Sequence, residues 1–303
     1  MLLIDKPWGL SSNRALQKAK YLYGAEKAGH TGTLDPLATG LLPICFGEAT
    51  KFSTILLDAD KHYVATVQLG VVTDTADAEG VVTERRPVNV ARTEIEAALK
   101  TFLGESLQLP PMHSALKRDG KPLYAYARQG IVLDRVPRRI MIDRMQLLEW
   151  EGDRVVFEVA CSKGTYVRTL AADLGERLGC GGHLAALRRT RIGSFDIGQA
   201  YPLQLLETLN EQEKDALLLP PDGLLDSLTK IFLGVADADR IRQGQAIRWL
   251  GITDQKTRVY EELTNRFLGV CRFEDGWLHP YRLMAQVANF GKGKLDKASG
   301  ETL

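Results

Sequence analysis

The chain has 303 residues and a formal net charge of +1 at pH 7, and 45% of its residues are hydrophobic. This composition is ordinary for a soluble globular protein and argues against a disordered chain or a uniformly basic nucleic-acid binder. The length predicts one large domain, or a large domain followed by a small one.

The cysteines and the chain start bear on the cellular compartment. Cys45, Cys161, Cys180 and Cys271 are far apart and form no CxxC pair, which argues against disulfides or a zinc site and fits a reducing cytoplasm. The first ten residues carry charges too early for a signal peptide, and no run of 18 apolar residues occurs. We therefore expect a cytoplasmic protein with no bound metal and no membrane association.

The first part of the chain alternates apolar segments with turns. The pattern predicts a strand over residues 2–5, a helix from Ser11 or Ser12 to Tyr23, and a structured loop over 28–40 that is rich in glycine. A strand over 41–46, a helix over 48–57, a strand over 63–69, a turn-rich loop over 74–80 and a helix over 90–103 follow.

The second part predicts two further strands, over residues 140–150 and 155–160, and a helix from Gly164 to Gly179. Strand and turn follow over 184–197, and short strand-like segments occur beyond about residue 227. Since no regular βαβ repeat is present, we predict an α+β fold with a large mixed or antiparallel sheet and a small β-rich C-terminal domain. The predicted domains are 1–226 and 227–290, with a flexible tail over 291–303.

Asp35 is the first candidate for chemistry. It lies between Leu34 and Pro36 in the glycine-rich loop, and the proline disfavours the α conformation at Asp35, so the carboxylate has a defined presentation. A turn aspartate that bonds its own backbone has the same pattern. Spacing alone favours the turn interpretation. No GK[ST] follows the glycines, which excludes a P-loop.

Arg168 lies on the predicted helix beside a stripe of small residues that ends in Gly175 and Gly179. Such a stripe indicates that a packed backbone or a ligand approaches closely there. An ordinary surface salt bridge, for example with Asp173 or Glu176, explains the arginine equally well.

Basic residues gather in two places. Residues 117–139 contain seven Lys or Arg side chains and the aromatics Tyr124 and Tyr126, and Arg188, Arg189 and Arg191 form a second cluster. Basic side chains interleaved with aromatics suit an RNA backbone and its unstacked bases. A solvated charged face is the alternative.

Several separated segments resemble one family. AGHTGTLDPLATGLLPICFGEATK, LLIDKPWGLSSN, DKHYVATVQLG, TDTADAEG, CSKGTYVRTLAADLG and GCGGHLAALRR are similar to blocks of the TruB-type tRNA pseudouridine synthases, from about Leu2 to Arg191. The C-terminal part resembles the small PUA-like domain of that family more weakly. Residues 111–139 resemble its RNA-binding, thumb-like insertion.

The resemblance implies roles for matching residues. It makes Asp35 the nucleophile, Arg168 its partner and Tyr63 an active-site tyrosine that also contacts the substrate. Tyr166 and Leu187 would line the uridine pocket, His30 would enter the T loop near the flipped base, and Asp77 would belong to the substrate site.

The implied activity is isomerisation of uridine to pseudouridine at position 55 in the T loop of tRNA, by base flipping, glycosidic bond cleavage and reattachment through C5. Such a reaction needs no cofactor. The expected partner is the T arm of tRNA, bound by a monomer without an obligate protein partner. Two alternatives are a tRNA-folding chaperone whose isomerase activity is dispensable and a related synthase guided to rRNA by partner proteins.

Overall fold

The computed structural model describes residues 1–251 and 253–285. Its strands are β1 Leu2–Lys6, β2 Ala28–His30, β3 Ala38–Phe46, β4 Lys61–Leu69, β5 Val71–Thr73, β6 Val82–Arg85, β7 Gly104–Gln108, β8 Lys117–Arg118, β9 Lys121–Pro122, β10 Arg138–Glu151, β11 Arg154–Cys161, β12 Gly182–Ile192, β13 Phe195–Asp196, β14 Tyr201–Pro202, β15 Thr229–Leu233, β16 Ile247–Arg248, β17 Lys256–Glu261, β18 Arg266–Glu274 and β19 Trp277–Leu283. The α-helices are α1 Ser12–Leu22, α2 Ser53–Leu57, α3 Arg92–Lys100, α4 Leu123–Ala127, α5 Val167–Arg177, α6 Glu211–Ala216 and α7 Val235–Arg242.

The chain divides into two compact units, Met1–Leu224 and a second unit that begins at Leu225. The sequence places the boundary at 226/227, and that exact position stays a prediction. The end of the predicted second domain, 286–290, and the predicted tail, 291–303, lie outside the described residues.

A ten-stranded mixed sheet dominates the first unit, with β14-β1-β3-β12-β4-β11-β10-β7 as its main order. Strand β12 pairs parallel with β3 and antiparallel with β4, and β1 pairs parallel with β14. The second unit holds a five-stranded sheet in the order β15-β17-β18-β19-β16. These sheets confirm the predicted α+β class, with a large mixed sheet followed by a β-rich unit.

The core of the first unit follows from the alternation of side chains along its strands. In β4, Tyr63, Ala65, Val67 and Leu69 are all buried while the residues between them are partly exposed, as period-two geometry requires. Helices α1, α3 and α5 pack their apolar sides on this sheet, and Leu170 and Leu174 of α5 belong to the same core cluster. Burial of that helical stripe fixes the orientation of Arg168 at the start of α5.

Three element predictions were wrong in detail. The segment 28–40 is not wholly loop, because β2 pairs with the end of β3 through backbone bonds that need no side-chain period. The predicted helix over 48–57 is a 3₁₀ turn, Gly47–Lys51, followed by α2, with the fully buried Phe52 between them. The helix over 90–103 is shorter, since it ends at Lys100 and strand β7 begins at Gly104.

Candidate active site

The loop between β2 and β3 carries Asp35 and is held by hydrogen bonds on both sides. The Ser12 hydroxyl accepts from the Leu34 N–H at 2.7 Å and donates to the Leu34 carbonyl at 2.9 Å. The Gly9 N–H donates to the Pro36 carbonyl at 2.9 Å. The carboxylate is therefore presented by a fixed backbone, and its side chain remains 40% exposed.

Arg168 contacts this carboxylate directly. Its Nε lies 3.1 Å from Asp35 Oδ2, and its Nη1 lies 3.0 Å from Asp77 Oδ2. Its Nη2 donates to the His113 carbonyl at 2.6 Å. Because the side chains of Arg168 and Asp77 are 8% and 3% exposed, their ion pair is shielded from water, whereas the pair with Asp35 is open to the cleft on the carboxylate side. Asp35 and Arg168, which the family resemblance pairs, are thus in contact in the structure. The alternative surface salt bridges of Arg168 with Asp173 or Glu176 are not formed.

Asp77 lies behind Arg168 and is 2% exposed. Its Oδ1 accepts from the Thr75 hydroxyl at 2.6 Å and from the Glu79 N–H at 3.1 Å. All of these bonds orient the carboxylate toward Arg168. The geometry favours a positioning role for Asp77 over the substrate contact that the resemblance implies.

The electrostatics of Asp35 reflect opposing influences. Partial removal from water raises the pKa of its carboxyl above the usual value, and Arg168 opposes this while the neighbouring Asp77 adds to it. Lys6 also lowers the pKa of Asp35. The carboxyl thus lies at a position where desolvation increases its basicity and a guanidinium stabilises its charged form.

Tyr63 lies at the centre of the sheet, where β4 pairs with β12 and Tyr63 is directly opposite Arg189. It is 8% exposed. Burial raises the pKa of the Tyr63 hydroxyl, and the guanidinium of Arg189, which is hydrogen-bonded to it, opposes the rise. Tyr63 is therefore a neutral, buried aromatic whose hydroxyl contacts a cation.

A cleft of about 790 Å³ opens over these groups, a size typical of small-molecule sites. All the site residues predicted from the sequence line it, namely His30, Asp35, Tyr63, Asp77, Tyr166, Arg168 and Leu187. Tyr166 precedes α5, and both its backbone N–H and its carbonyl bond to the Gln108 amide. Leu187 lies in β12 between Ala38 and Ala65 of the adjacent strands. The structure therefore assembles this set of residues around one cleft, while their individual roles remain predictions.

His30 ends β2 and faces the cleft. Burial lowers the pKa of its imidazole, and the nearby Arg189 lowers it further, so the ring is neutral at pH 7. Its Nδ1 is buried and has no hydrogen-bond partner among residues 1–251 and 253–285.

Three buried cations near the Asp35 loop were missed by sequence reasoning: Lys6, Lys61 and Arg189. Arg189 is 1% exposed, and its Nε and Nη2 donate to the carbonyls of Leu41 at 2.7 Å and Gly32 at 3.1 Å. Burial lowers the pKa values of Lys6 and Lys61, in each case to about 8. Within the described part of the chain, no carboxylate forms a salt bridge with any of the three.

The interpretation of Arg188, Arg189 and Arg191 as one RNA-binding cluster was wrong for Arg189. Because side chains alternate along β12, Arg189 points inward from a strand, whereas Arg188 pairs with Asp5 at 2.7 Å on a partly exposed face. The signal available in the sequence was the alternation of Leu187 and Arg189 within a strand, which places both on one face.

The stripe of small residues on α5 leaves room for the backbone of a neighbouring segment to pack closely. A side chain at Gly175 would place its Cβ 2.2 Å from the Gly181 carbonyl carbon, so the helix packs directly on the chain entering β12. Of the two explanations that the stripe left open, close backbone packing is the one observed at Gly175.

The basic segment 111–139 folds as the small hairpin of β8 and β9 followed by α4. Most of its charged side chains are exposed, and Tyr124 and Arg128 reach the cleft lining. Lys121 lies over the Tyr126 ring at 4.6 Å and Arg128 over the Tyr124 ring at 5.4 Å. Cations and aromatic faces are thus already paired beside the cleft.

The residues that the structure describes, 1–251 and 253–285, show neither a metal-ligand group nor a membrane-spanning helix. No group of three or more His, Cys, Asp or Glu side chains there could hold a metal ion. No helix among them combines the length and apolarity needed to cross a membrane.

Family models match most of residues 20–284, and all three describe pseudouridine synthases. They are the TruB family pseudouridylate synthase N-terminal domain over residues 20–167, the tRNA pseudouridylate synthase B C-terminal domain over 168–226, and the pseudouridine synthase II TruB C-terminal model over 229–284. The class of protein is therefore that of an isomerase that makes pseudouridine.

Curated relatives agree over nearly full length. The chain is 51% identical over 291 residues to tRNA pseudouridine synthase B of Chromobacterium violaceum, covering 95% of each chain. It is 52% identical over 289 residues to the protein of the same name from Stutzerimonas stutzeri, covering 94% of this chain and 95% of the relative. The chain belongs to the TruB family of pseudouridine synthases.

Solved structures support the fold. A crystal structure of a Cbf5-Nop10-Gar1 complex matches with a TM-score of 0.69 and 27% identity over 89% of this chain and 77% of that one. An archaeal box H/ACA sRNP Nop10-Cbf5 complex matches in fold, with a TM-score of 0.70 and 24% identity over 93% of this chain and 85% of that one.

Proposed function

We propose that the protein isomerises the uridine at position 55 in the T loop of tRNA and that Asp35 is the reacting carboxylate. Relatives that are 51% and 52% identical over 95% of their length are named tRNA pseudouridine synthase B. The observation that carries the assignment of Asp35 is its pairing with the buried Arg168 at 3.1 Å inside the cleft.

The reaction requires no net change in composition. The bond from N1 to the sugar C1′ breaks, the uracil turns, a bond from C5 to C1′ forms, C5 loses a proton and N1 gains one. Since atoms and electrons balance within the nucleotide, no cofactor or energy donor is needed. The protein supplies a nucleophile, a proton acceptor and a fixed orientation of the base.

Asp35 acts as the ionised carboxylate. Attack on the base, attack on the sugar and assistance of elimination all need its negative charge beside the uridine. Arg168 supports that charge, and Asp77 holds Arg168 in place from the other side at 3.0 Å. Asp77 is therefore a positioning residue in this proposal.

Tyr63 forms the floor on which the uracil stacks, and its hydroxyl assists removal of the C5 proton. Leu187 and Tyr166 form the adjacent walls of the cleft. Burial raises the pKa of Tyr63 more than Arg189 lowers it, so the hydroxyl is neutral before the base arrives.

Access requires the uridine to leave its stack. Extrusion costs a few kcal/mol, which is offset when protein groups fill the vacated space and hold the backbone. The neutral His30 at the cleft fills this space, and the exposed basic residues of 111–139 contact the phosphates.

The test is direct mapping of pseudouridine in tRNA and in a T-arm hairpin after incubation with purified protein. Asp35→Asn should bind RNA but form no product. Asp58→Asn is a matched control, because Asp58 is 68% exposed in a surface pair with Lys163 and should leave turnover unchanged. Normal turnover by Asp35→Asn would contradict the assignment of Asp35, and RNA refolding by wild-type protein without any product would favour the chaperone alternative.

A further inference from the structure

Trp8 is a large aromatic side chain that is 75% exposed in the turn between β1 and α1. A singly exposed apolar residue is common on protein surfaces and needs no special explanation. The position of this indole beside the Asp35 loop is the informative feature, because an exposed aromatic beside a nucleic-acid site offers a face for a base.

The side chain of Lys6 holds the turn that carries Trp8. The buried Lys6 ammonium donates to the Pro7 carbonyl at 3.0 Å and to the Leu10 carbonyl at 2.5 Å, so it bonds to both sides of the turn. Gly9, with φ of +83°, adopts a conformation that glycine tolerates best. The indole therefore projects from a fixed backbone, which lowers the entropic cost of binding a ligand.

The same turn is joined to the loop that carries Asp35. The residue after Trp8, Gly9, donates to the carbonyl of Pro36, which directly follows Asp35. Four residues after Trp8, the Ser12 hydroxyl bonds to both backbone groups of Leu34. Ser11, Ser12 and Asn13 line the cleft, while Trp8 stands outside its lining. The turn that carries Trp8 thus lies at the rim of the cleft, and Trp8 itself is not among the residues that line it.

We propose that Trp8 stacks on an unpaired base next to the target uridine. When the uridine leaves its stack, a neighbouring base loses one stacking partner. The rim indole offers a rigid replacement surface next to the carboxylate that must meet the uridine. The first turn of α1 contains no acidic residue and carries the exposed Arg14, which is available to a neighbouring phosphate.

This inference rests on the proposed function, in that the RNA is taken to be the T arm. It assigns a contact for a neighbouring nucleotide and no part in bond making. Removal of one base–aromatic stack weakens binding by about 5- to 150-fold. We therefore expect Trp8→Ala to raise the Kd and KM for a T-arm hairpin within that range while kcat remains near the wild-type value, and Trp8→Phe to retain most of the affinity.

Tyr21→Ala provides the matched control. Tyr21 lies on α1, about 14 Å along the helix axis from Ser12. Its side chain is 84% exposed, and it does not line the cleft. Its removal should leave Kd, KM and kcat unchanged. Thermal unfolding of all variants checks that the exposed substitutions leave the fold intact.

A double-mutant cycle identifies the ligand as a base. Each nucleotide that flanks the target uridine is replaced in turn by an abasic residue, and the Kd is measured for wild type and Trp8→Ala. At one flank, the abasic RNA should bind wild type as weakly as intact RNA binds Trp8→Ala, and the two changes together should cause no further loss. Additive losses at both flanks would overturn the proposal.

Binding is measured separately from product formation. If wild type makes no pseudouridine in this RNA, the proposed function fails, and the Kd ratio still decides on Trp8. If product forms and Trp8→Ala matches wild type in both Kd and KM, the stacking inference fails while the proposed function stands. A loss of affinity in Tyr21→Ala equal to that in Trp8→Ala would also contradict a specific stack at the rim.

Discussion

Replacing Arg189 tests whether a buried cation holds the Asp35 loop. In Arg189→Met, the carbonyls of Leu41 and Gly32 lose their guanidinium donor, and the Tyr63 hydroxyl loses a hydrogen-bonded cation. Gly32 lies three residues before Asp35, and Tyr63 lies across the strand pair, so one side chain connects both parts of the site.

The expected magnitude follows from these bonds. Each buried acceptor left without a partner costs about 1–3 kcal/mol, and removal of a buried cation offsets part of the sum. A net loss of about 2–3 kcal/mol corresponds to a fall in Tm of about 4–12 °C for a unit of this size. A shift of about 1 Å in the loop lowers kcat by about 10²-fold.

The assay combines thermal unfolding with single-turnover pseudouridine formation. Arg189→Lys keeps the charge but cannot bridge both carbonyls in the fork geometry of a guanidinium, so it should restore little of the turnover. Arg188→Met is the neighbouring control, since Arg188 pairs with Asp5 on a partly exposed face and should cost less than about 1 kcal/mol. An Arg189→Met variant with wild-type Tm and kcat would refute the reasoning.

Three further changes have defined outcomes. Asp77→Asn removes the charge behind Arg168 and should lower kcat by about 10²-fold with RNA binding retained; equal kcat in a single-turnover assay would contradict the proposed positioning role. Because the pKa of Asp35 is raised above its ordinary 3.8, lowering the pH should protonate it and reduce kcat at a pH above 3.8, and a pH–rate profile whose acidic inflection lies at or below 3.8 would contradict this. Gly40→Ala would place a Cβ 2.3 Å from the Arg189 carbonyl oxygen at φ of +103°, and should cost about 2–5 kcal/mol of unfolding free energy in denaturant titrations. Gly47→Ala, with open space around it, should cost less.

Local patterns predicted most of the elements because they depend on neighbours in sequence. The alternation from Tyr63 to Leu69 and the Ser11 cap of α1 are both observed. The order of strands was not predictable in this way. Strand β12 lies between β3 and β4, and parallel to β3, through pairings with residues more than a hundred positions away that no local periodicity encodes.

In the site, too, local features were predictable from the sequence and long-range contacts were not. The proline and glycines around Asp35 indicated a fixed loop, and the family resemblance indicated Arg168 as its partner. Arg189 and Lys6 were missed because charged residues are rarely fully buried, so a pattern of basic residues predicts a surface. The sheet register sets Arg189 opposite both Gly40 and Tyr63, and its 1% exposure shows that the arginine points inward.

The way in which these buried cations are satisfied bears on the charge of Asp35, the proposed reacting carboxylate. Lys6 and Arg189 bond to backbone carbonyls, and among the described residues neither forms a salt bridge with a carboxylate. A further carboxylate at either position would repel Asp35 and raise its pKa further, or would compete with it for Arg168. Carbonyl acceptors avoid both effects, because they orient the cations without adding negative charge. The Asp35 loop is thereby held without added negative charge, and Lys6 lowers the pKa of Asp35 and so favours its ionised form.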